Sequence, residues 1–150
     1  MIKVLFICHG NICRSPMAEF ILKDMVSTRG IADQFDITSA ATSREELGNP
    51  VYPPAVQELA RHGISAAGKT ARQLRREDYD QYDYLLAMEA YNLPNAMRIL
   101  KADSEGKLKL LLDFTDAPGD IADPWYCCHF ARTYGDITRG WQGILAHLGF

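Results

Sequence analysis

Ile2-Lys3-Val4-Leu5-Phe6-Ile7-Cys8-His9-Gly10-Asn11-Ile12-Cys13-Arg14-Ser15-Pro16 is the stretch that decides the reading of this chain. The apolar run 2–7 predicts a buried strand. Ser15-Pro16 predicts a helix start, with the serine as N-cap and the proline where a missing N–H does no harm. Between strand and helix, five residues separate Cys8 from Arg14. Gly10 permits a positive φ and Asn11 tolerates one, so a loop this short can bend around an oxyanion with backbone N–H groups turned inward. A helix start adds unpaired N–H groups that bind anions. Arg14 closes the ring, because a planar guanidinium grips two oxygens of a tetrahedral dianion where an ammonium cannot. The expected feature is a phosphate-binding loop after the first strand, built from His9, Gly10, Asn11, Ile12, Cys13, Arg14 and Ser15.

The same loop carries a thiol at its entry. A cysteine attacks as the thiolate, and a helix N-terminus and a neighbouring cation both favour the anion. Ser15 has a second task in this reading: if the loop curls, its hydroxyl lies near Cys8 and donates to the sulfur as it departs from a phosphoryl intermediate. Taken one at a time, each residue has a plain structural explanation. Cys8 would be a buried strand-end thiol, Arg14 a solvated charge and Ser15-Pro16 an ordinary cap. Their order along the chain is what points to a nucleophile.

Outward from this loop, apolar runs alternate with helical periods, the pattern of an α/β domain with a parallel sheet. Strands are expected at 2–7, 35–39, 84–88 and 108–112, and helices at 16–29, 54–62, about 90–101 and about 130–148. Gly30 and Gly63 stand where a left-handed residue ends a helix. In the last helix Phe130, Tyr134, Ile137, Trp141, Ile144, Leu145 and Leu148 recur at spacings of three or four and form one buried stripe. The result is a single domain, 1–150, with an open four-stranded parallel sheet flanked by helices. Ligands in such sheets lie beyond the carboxyl ends of the strands, where Cys8, Ser39 and the Asp-, Gly- and Pro-rich segment 113–129 converge.

A chain of 150 residues with 47% hydrophobic residues can bury one stable core. Its formal charge of −3 provides no broad basic field and argues against nucleic acid as a partner. No apolar run reaches membrane-spanning length and no signal peptide is visible, so a cytoplasmic protein without a membrane partner is expected, and a monomer. The four cysteines fall in two close pairs, Cys8 with Cys13 and Cys127 with Cys128. That is no disulfide framework, and the spacing lacks the two-residue gap of a zinc knuckle. Neither a metal nor another cofactor is expected, and no Gly-x4-Gly-Lys-Ser/Thr nucleotide loop occurs.

Departure of an alkoxide or phenolate from phosphorus calls for a proton, and a carboxylic acid on a loop is a common donor. Asp113, Asp116 and Asp120 read as turn formers, whereas Asp123 precedes Pro124, Trp125 and Tyr126, two aromatics that can wall a pocket.

The chain resembles the low-molecular-weight protein tyrosine phosphatase family nearly end to end. The resemblance rests on Val4 through Glu19, Ser39-Ala40-Ala41-Thr42-Ser43, Gly48-Asn49-Pro50, Arg61-His62-Gly63-Ile64, Ala71-Arg72-Gln73-Leu74 and Asp123-Pro124-Trp125-Tyr126. It implies a phosphotyrosine phosphatase that works through a cysteinyl phosphate without metal. Cys8 would be the nucleophile, Arg14 the oxyanion ligand and Asp123 the general acid and then base. Ser39 and His62 would hydrogen-bond Asn11 and hold the loop; from its own surroundings His62 reads as a helix-end histidine favoured by the dipole. Ile12, Glu45, Trp125 and Tyr126 would form the substrate rim. Cys13 is either a second loop cysteine able to trap oxidised Cys8 as a disulfide or a small apolar filler.

The departures from the family pattern concern specificity. Glu89 stands where the family commonly has Asp. Glu45 replaces an aromatic, so basic phosphopeptides would be favoured. Cys127-Cys128-His129 replace a Gly-Asp-like turn. Related arginine phosphatases carry Thr where this chain has Ile12. Arsenate reductase on the same fold is the alternative enzyme, yet the extra cysteines that its relatives place near the third strand are missing from Tyr82–Glu89. A catalytically inactive phosphotyrosine-binding module is the non-enzymatic alternative, against which intact Cys8, Arg14 and Asp123 argue. A phosphotyrosine protein, a tyrosine kinase among them, and small aryl phosphates are all compatible substrates.

Overall fold

In the computed structural model, which describes residues 1–150 apart from the side chains of Tyr126 and Cys127, β1 spans Ile2–Cys8 and is buried from Val4 onward. It lies inside a wholly parallel sheet of order β2-β1-β3-β4, with β2 at Phe35–Ala41, β3 at Tyr84–Ala87 and β4 at Leu108–Leu110. Strands covered on both faces need no polar alternation, which is why β1 reads as a continuous apolar run. The chain leaves β1 for β2 on one side and returns to β3 on the other. β1 and β3 therefore flank the switch point where open sheets bind ligands.

Successive β1 side chains serve opposite layers. Val4, Phe6 and Cys8 face α1 (Arg14–Thr28), α2 (Pro53–Arg61) and α6 (Phe130–His147), packing with Met17, Leu59 and Trp141. Leu5 and Ile7 face α3 (Asp78–Gln81) and α4 (Asn92–Leu100), with Tyr79, Ala96 and Leu100. The expected stripe of α6 is present: Ile137, Trp141, Ile144 and Leu145 are buried, with Phe130, Tyr134 and Leu148 partly so. Trp141 meets Phe6 edge-on at 4.7 Å, and its indole N–H donates to the Ala18 carbonyl at 3.0 Å.

Two local expectations are corrected. Helix α1 begins at Arg14, with Cys13 at the cap position; the first helical bond runs from Met17 N–H to the Cys13 carbonyl at 3.0 Å. Ser15 is thus inside the first turn rather than the cap, and its hydroxyl is free to face the loop. β4 ends at Leu110 because Leu111 and Leu112 enter a 3-10 turn, Leu111–Phe114, that drives Leu111 into the core. Gly140 of α6 makes room for it, since a Cβ there would lie 2.6 Å from Leu111 Cγ. Of the two loop positions expected to allow a positive φ, Asn11 takes it, at 60°, and Gly10 does not. The short helices α3 and α5 (Pro124–Cys127) were not anticipated. Among the described residues, no helix is long and apolar enough to cross a membrane.

Candidate active site

The loop after β1 is tied down by its carbonyls. Thr42 N–H donates to Cys8 O at 2.9 Å, Ser43 N–H to His9 O at 3.0 Å and Tyr52 N–H to Ile12 O at 2.8 Å. These bonds turn the carbonyls outward, toward the segment after β2. On the inner side the Asn11 N–H points to Cys8 Sγ at 3.3 Å, and Ser15 Oγ lies 2.9 Å from the same sulfur. Behind Asn11, its Nδ2 donates to Ser15 Oγ at 2.8 Å and to Ser39 Oγ at 2.9 Å, while its Oδ1 accepts from Arg72 N–H at 3.2 Å. Two of the expected supports, Ser15 and Ser39, are therefore in place.

His62 is not. Its Nε2 lies 3.1 Å from Glu58 of the same helix, and its ring stacks on Tyr134 with centroids 3.6 Å apart. A carboxylate one helical turn back and an aromatic face from α6 hold it away from Asn11, whose oxygen is served by Arg72 instead.

Arg14 is 2% exposed and fully engaged. One terminal nitrogen donates to the Ile121 carbonyl at 2.9 Å. The other donates to Glu89 Oε1 at 2.9 Å and stands 3.5 Å from Asp123 Oδ2. Burial opposes the charge, but Cys8, Glu89 and Asp123 outweigh it and hold the guanidinium above its ordinary range. Glu89, one methylene longer than the expected aspartate, thus still reaches the arginine. Cys13 behaves in the opposite sense. Burial pushes its thiol up to about 12, with charge on Cys8 and Asp123 adding to the effect and Arg14 opposing it, so it stays neutral beside its neighbour.

Asp123 sits at the N-terminus of α5, where its Oδ1 accepts the Trp125 N–H at 3.0 Å. Its other oxygen faces Arg14, so the cap bond to Trp125 leaves one carboxylate oxygen turned into the site. The loop before it is fixed by Ile121 N–H to Met88 O at 2.8 Å and by Ala90 N–H to Asp120 Oδ1 at 2.8 Å.

These groups enclose a pocket of roughly 180 Å³ lined by Cys8 through Arg14, Glu45, Glu46, Asp123 and Trp125. Trp125 is half exposed and tilts over Tyr52, ring centroids 4.4 Å apart. At the mouth His9 Nε2 and Glu45 Oε2 meet at 2.9 Å. The Tyr126 side chain lies outside the described residues. Sequence reasoning missed Tyr52, Glu46 and Ile121; a tyrosine before Pro53 and a carboxylate beside Glu45 carry no motif, and Ile121 acts through its backbone. Among the described residues, no group of three or more His, Cys, Asp or Glu could hold a metal ion.

The family described as low molecular weight phosphotyrosine protein phosphatase matches residues 3–149. The chain belongs to that family. Its members are phosphotyrosine phosphatases with a cysteine nucleophile and no metal. The chain is 36% identical over 150 residues to the low molecular weight protein-tyrosine-phosphatase YfkJ of Bacillus subtilis, covering 99% of this chain and 96% of that one. The crystal structure of YfkJ superposes with a TM-score of 0.94 at 36% identity, over 99% of this chain and 94% of that one. That of SP-PTP, a low molecular weight protein tyrosine phosphatase from Streptococcus pyogenes, does so at 0.89 and 35%, over 100% and 95%. The human low molecular weight phosphotyrosine protein phosphatase is 39% identical over 127 residues, 83% of this chain and 80% of that one. In this chain Cys8 stands at the end of strand β1.

Proposed function

We propose that this chain hydrolyses phosphotyrosine in proteins, and small aryl phosphates, in two steps at the pocket between β1 and α5. Cys8 Sγ, as thiolate, attacks phosphorus and forms an S–P bond. The P–O bond to the tyrosyl ring breaks, and Asp123 gives its proton to the departing oxygen. In the second step the Asp123 carboxylate takes a proton from water, whose oxygen attacks phosphorus; the S–P bond breaks and inorganic phosphate leaves. Ser15 Oγ, 2.9 Å from Cys8 Sγ, donates to the sulfur as its charge returns. Arg14 and the loop amides take up the charge on the equatorial oxygens, an electrostatic role that needs no metal.

The observation that carries this reading is the convergence on one small pocket of Cys8, Arg14 and Asp123, with Asp123 Oδ2 3.5 Å from the guanidinium. Phosphate entering the cradle draws the arginine into a bidentate grip and leaves Asp123 beside the leaving oxygen. Ile12 and Trp125, the latter backed by Tyr52, supply the apolar walls for an aryl ring. The test is hydrolysis of an aryl phosphate in the presence of chelator by wild type, Cys8→Ser and Asp123→Ala. Turnover should survive chelation, vanish in Cys8→Ser and fall sharply in Asp123→Ala. Loss on chelation, or an active serine variant, would overturn the mechanism. Wild type that binds phosphotyrosine without turnover would instead make the chain a binding module.

A further inference from the structure

Hydrogen counting through the buried side chains behind Cys8 gives every bond a direction. The Arg72 backbone N–H can only donate, so the Asn11 oxygen faces it at 3.2 Å and both Nδ2 hydrogens point the other way. One goes to Ser39 Oγ at 2.9 Å and one to Ser15 Oγ at 2.8 Å. Ser39 gives its single proton to Glu19 Oε1 at 2.6 Å, because an ionised carboxylate only accepts. Ser15 has then accepted from Asn11, and the proton it has left faces Cys8 Sγ at 2.9 Å. Glu19, Ser39, Asn11, Ser15 and Cys8 are each 3% exposed or less, so water does not supply alternatives along this chain.

The carboxylate at the far end is itself compensated. Lys23 Nζ donates to Glu19 Oε2 at 2.6 Å. Lys69 Nζ stands 3.3 Å from Oε1 and donates to the Ser39 carbonyl at 3.0 Å. A charge placed this deep needs such partners to persist.

We infer that Glu19, held by Lys69 and Lys23, is a positioning residue for the nucleophile: its acceptor-only carboxylate takes the Ser39 proton and thereby keeps Asn11 oriented so that Ser15 donates to the Cys8 sulfur. Without that acceptor, Ser39 turns its proton toward Asn11. The flipped amide then offers its oxygen to both serines, and the Ser15 proton is drawn off the sulfur. The Arg72 N–H opposes the flip from the other side, so Glu19 and Arg72 lock the same amide. The inference rests on the proposed reading only in taking Cys8 as the nucleophile.

The test reads the thiol directly, as the pH dependence of iodoacetamide alkylation of Cys8 with Cys13 replaced by Ala throughout. Arg14, Asp123, His9, Glu45 and Glu46 also face the pocket and are unchanged in every variant. Glu19→Met, which keeps length but removes the acceptor, should move the alkylation profile up by about one pH unit, the size expected for losing one hydrogen bond to a charged group. Glu19→Gln retains an acceptor oxygen for Ser39 and should restore most of the wild-type profile. In a Ser15→Ala background, Glu19→Met should add no further shift. Should Glu19→Met fail to fold, Glu19→Leu removes the same acceptor with a shorter side chain and should shift the profile the same way. A folded Glu19→Met or Glu19→Leu protein with the wild-type profile would overturn the inference. So would a shift that persists in the Ser15→Ala background, or a Gln variant as impaired as Met. If these thiol shifts appear while wild type turns over no aryl phosphate, the proposed function fails and the positioning role of Glu19 stands.

Discussion

In the cradle around Cys8, the polar side chains Asn11, Arg14, Ser15, Ser39 and Glu19 are all buried and each has a named partner. In the segment 113–129 that carries Asp123, by contrast, Asp113, Asp116, Asp120 and Trp125 lie exposed. Its centre is tied to the sheet through Ile121 and Asp120, and to the cradle through Arg14. The cradle is part of the core, and a lost partner there leaves a buried group unsatisfied, which is costly. The acid segment rests on a few bonds, buried at Ile121 and exposed at Asp120 and Asp123. The proposed nucleophile is thus positioned by the fold and the proposed acid by a loop, with Arg14 as the shared residue. Damage to the two regions should differ in kind: cradle changes slow every substrate, and acid-segment changes slow those substrates whose leaving group needs a proton.

The largest effect is expected at the shared residue. Arg14→Lys loses the fork that holds Ile121, Glu89 and the substrate oxygens together, and kcat/KM should fall by about 10²–10³-fold or more. The fall should be of similar size for nitrophenyl phosphate and for phenyl phosphate; a loss confined to phenyl phosphate would erase the distinction between the two regions. Asp123→Ala comes next. With phenyl phosphate kcat should drop by about 10²-fold, the low end of what a positioned acid contributes, and with nitrophenyl phosphate, whose phenolate leaves unaided, by much less. Equal losses would show that Asp123 serves the cradle rather than the leaving group.

Smaller effects separate the supports. Asp120→Ala removes the acceptor for the Ala90 N–H and should cost a few-fold in kcat with phenyl phosphate alone, while Asp120→Asn keeps the acceptor and the rate. Gly143→Ala addresses stability rather than chemistry. A Cβ there would run into the Phe114 carbonyl, at the turn from which the acid segment departs; overpacking of this kind costs about 1–3 kcal/mol. A thermal melt should show the loss, and an unchanged Tm would mean that the seam between α6 and the turn gives way freely. The least effect is expected from Lys69. Burial lowers its ammonium below the ordinary 10.5, with Glu19 opposing. The unfolded chain therefore binds more protons than the folded one as pH rises toward 10.5, and stability from this group increases with pH there. Urea denaturation should show wild type gaining on Lys69→Met across that window; a decline would contradict the burial argument.

What could be read in the sequence was what is contiguous. β1 and α6 announce themselves by local apolar pattern, the cradle by Cys8, Arg14 and Ser15-Pro16 within one loop, and the pocket carboxylate by Asp123 beside Pro124 and Trp125. What could not be read depends on bonds between distant segments. Arg14 reaches Ile121 across 107 residues and Glu89 across 75, and Lys69 reaches Ser39 across 30. The missed contact at Ile121 is a backbone carbonyl, which no side-chain pattern reports. His62 failed for the reverse reason: Glu58, four residues back, is a nearer partner than a loop beyond the sheet. Ser15 was misplaced as a cap because the curl of the cradle itself begins the helix at Arg14.

The most direct test of the central claim is to stop the reaction between its two steps. Rapid acid quench of Asp123→Ala during turnover of nitrophenyl phosphate, followed by peptide mass spectrometry, should find phosphate on the sulfur of Cys8. Phosphate on another side chain, or a nitrophenolate burst with none bound to the protein, would contradict the account.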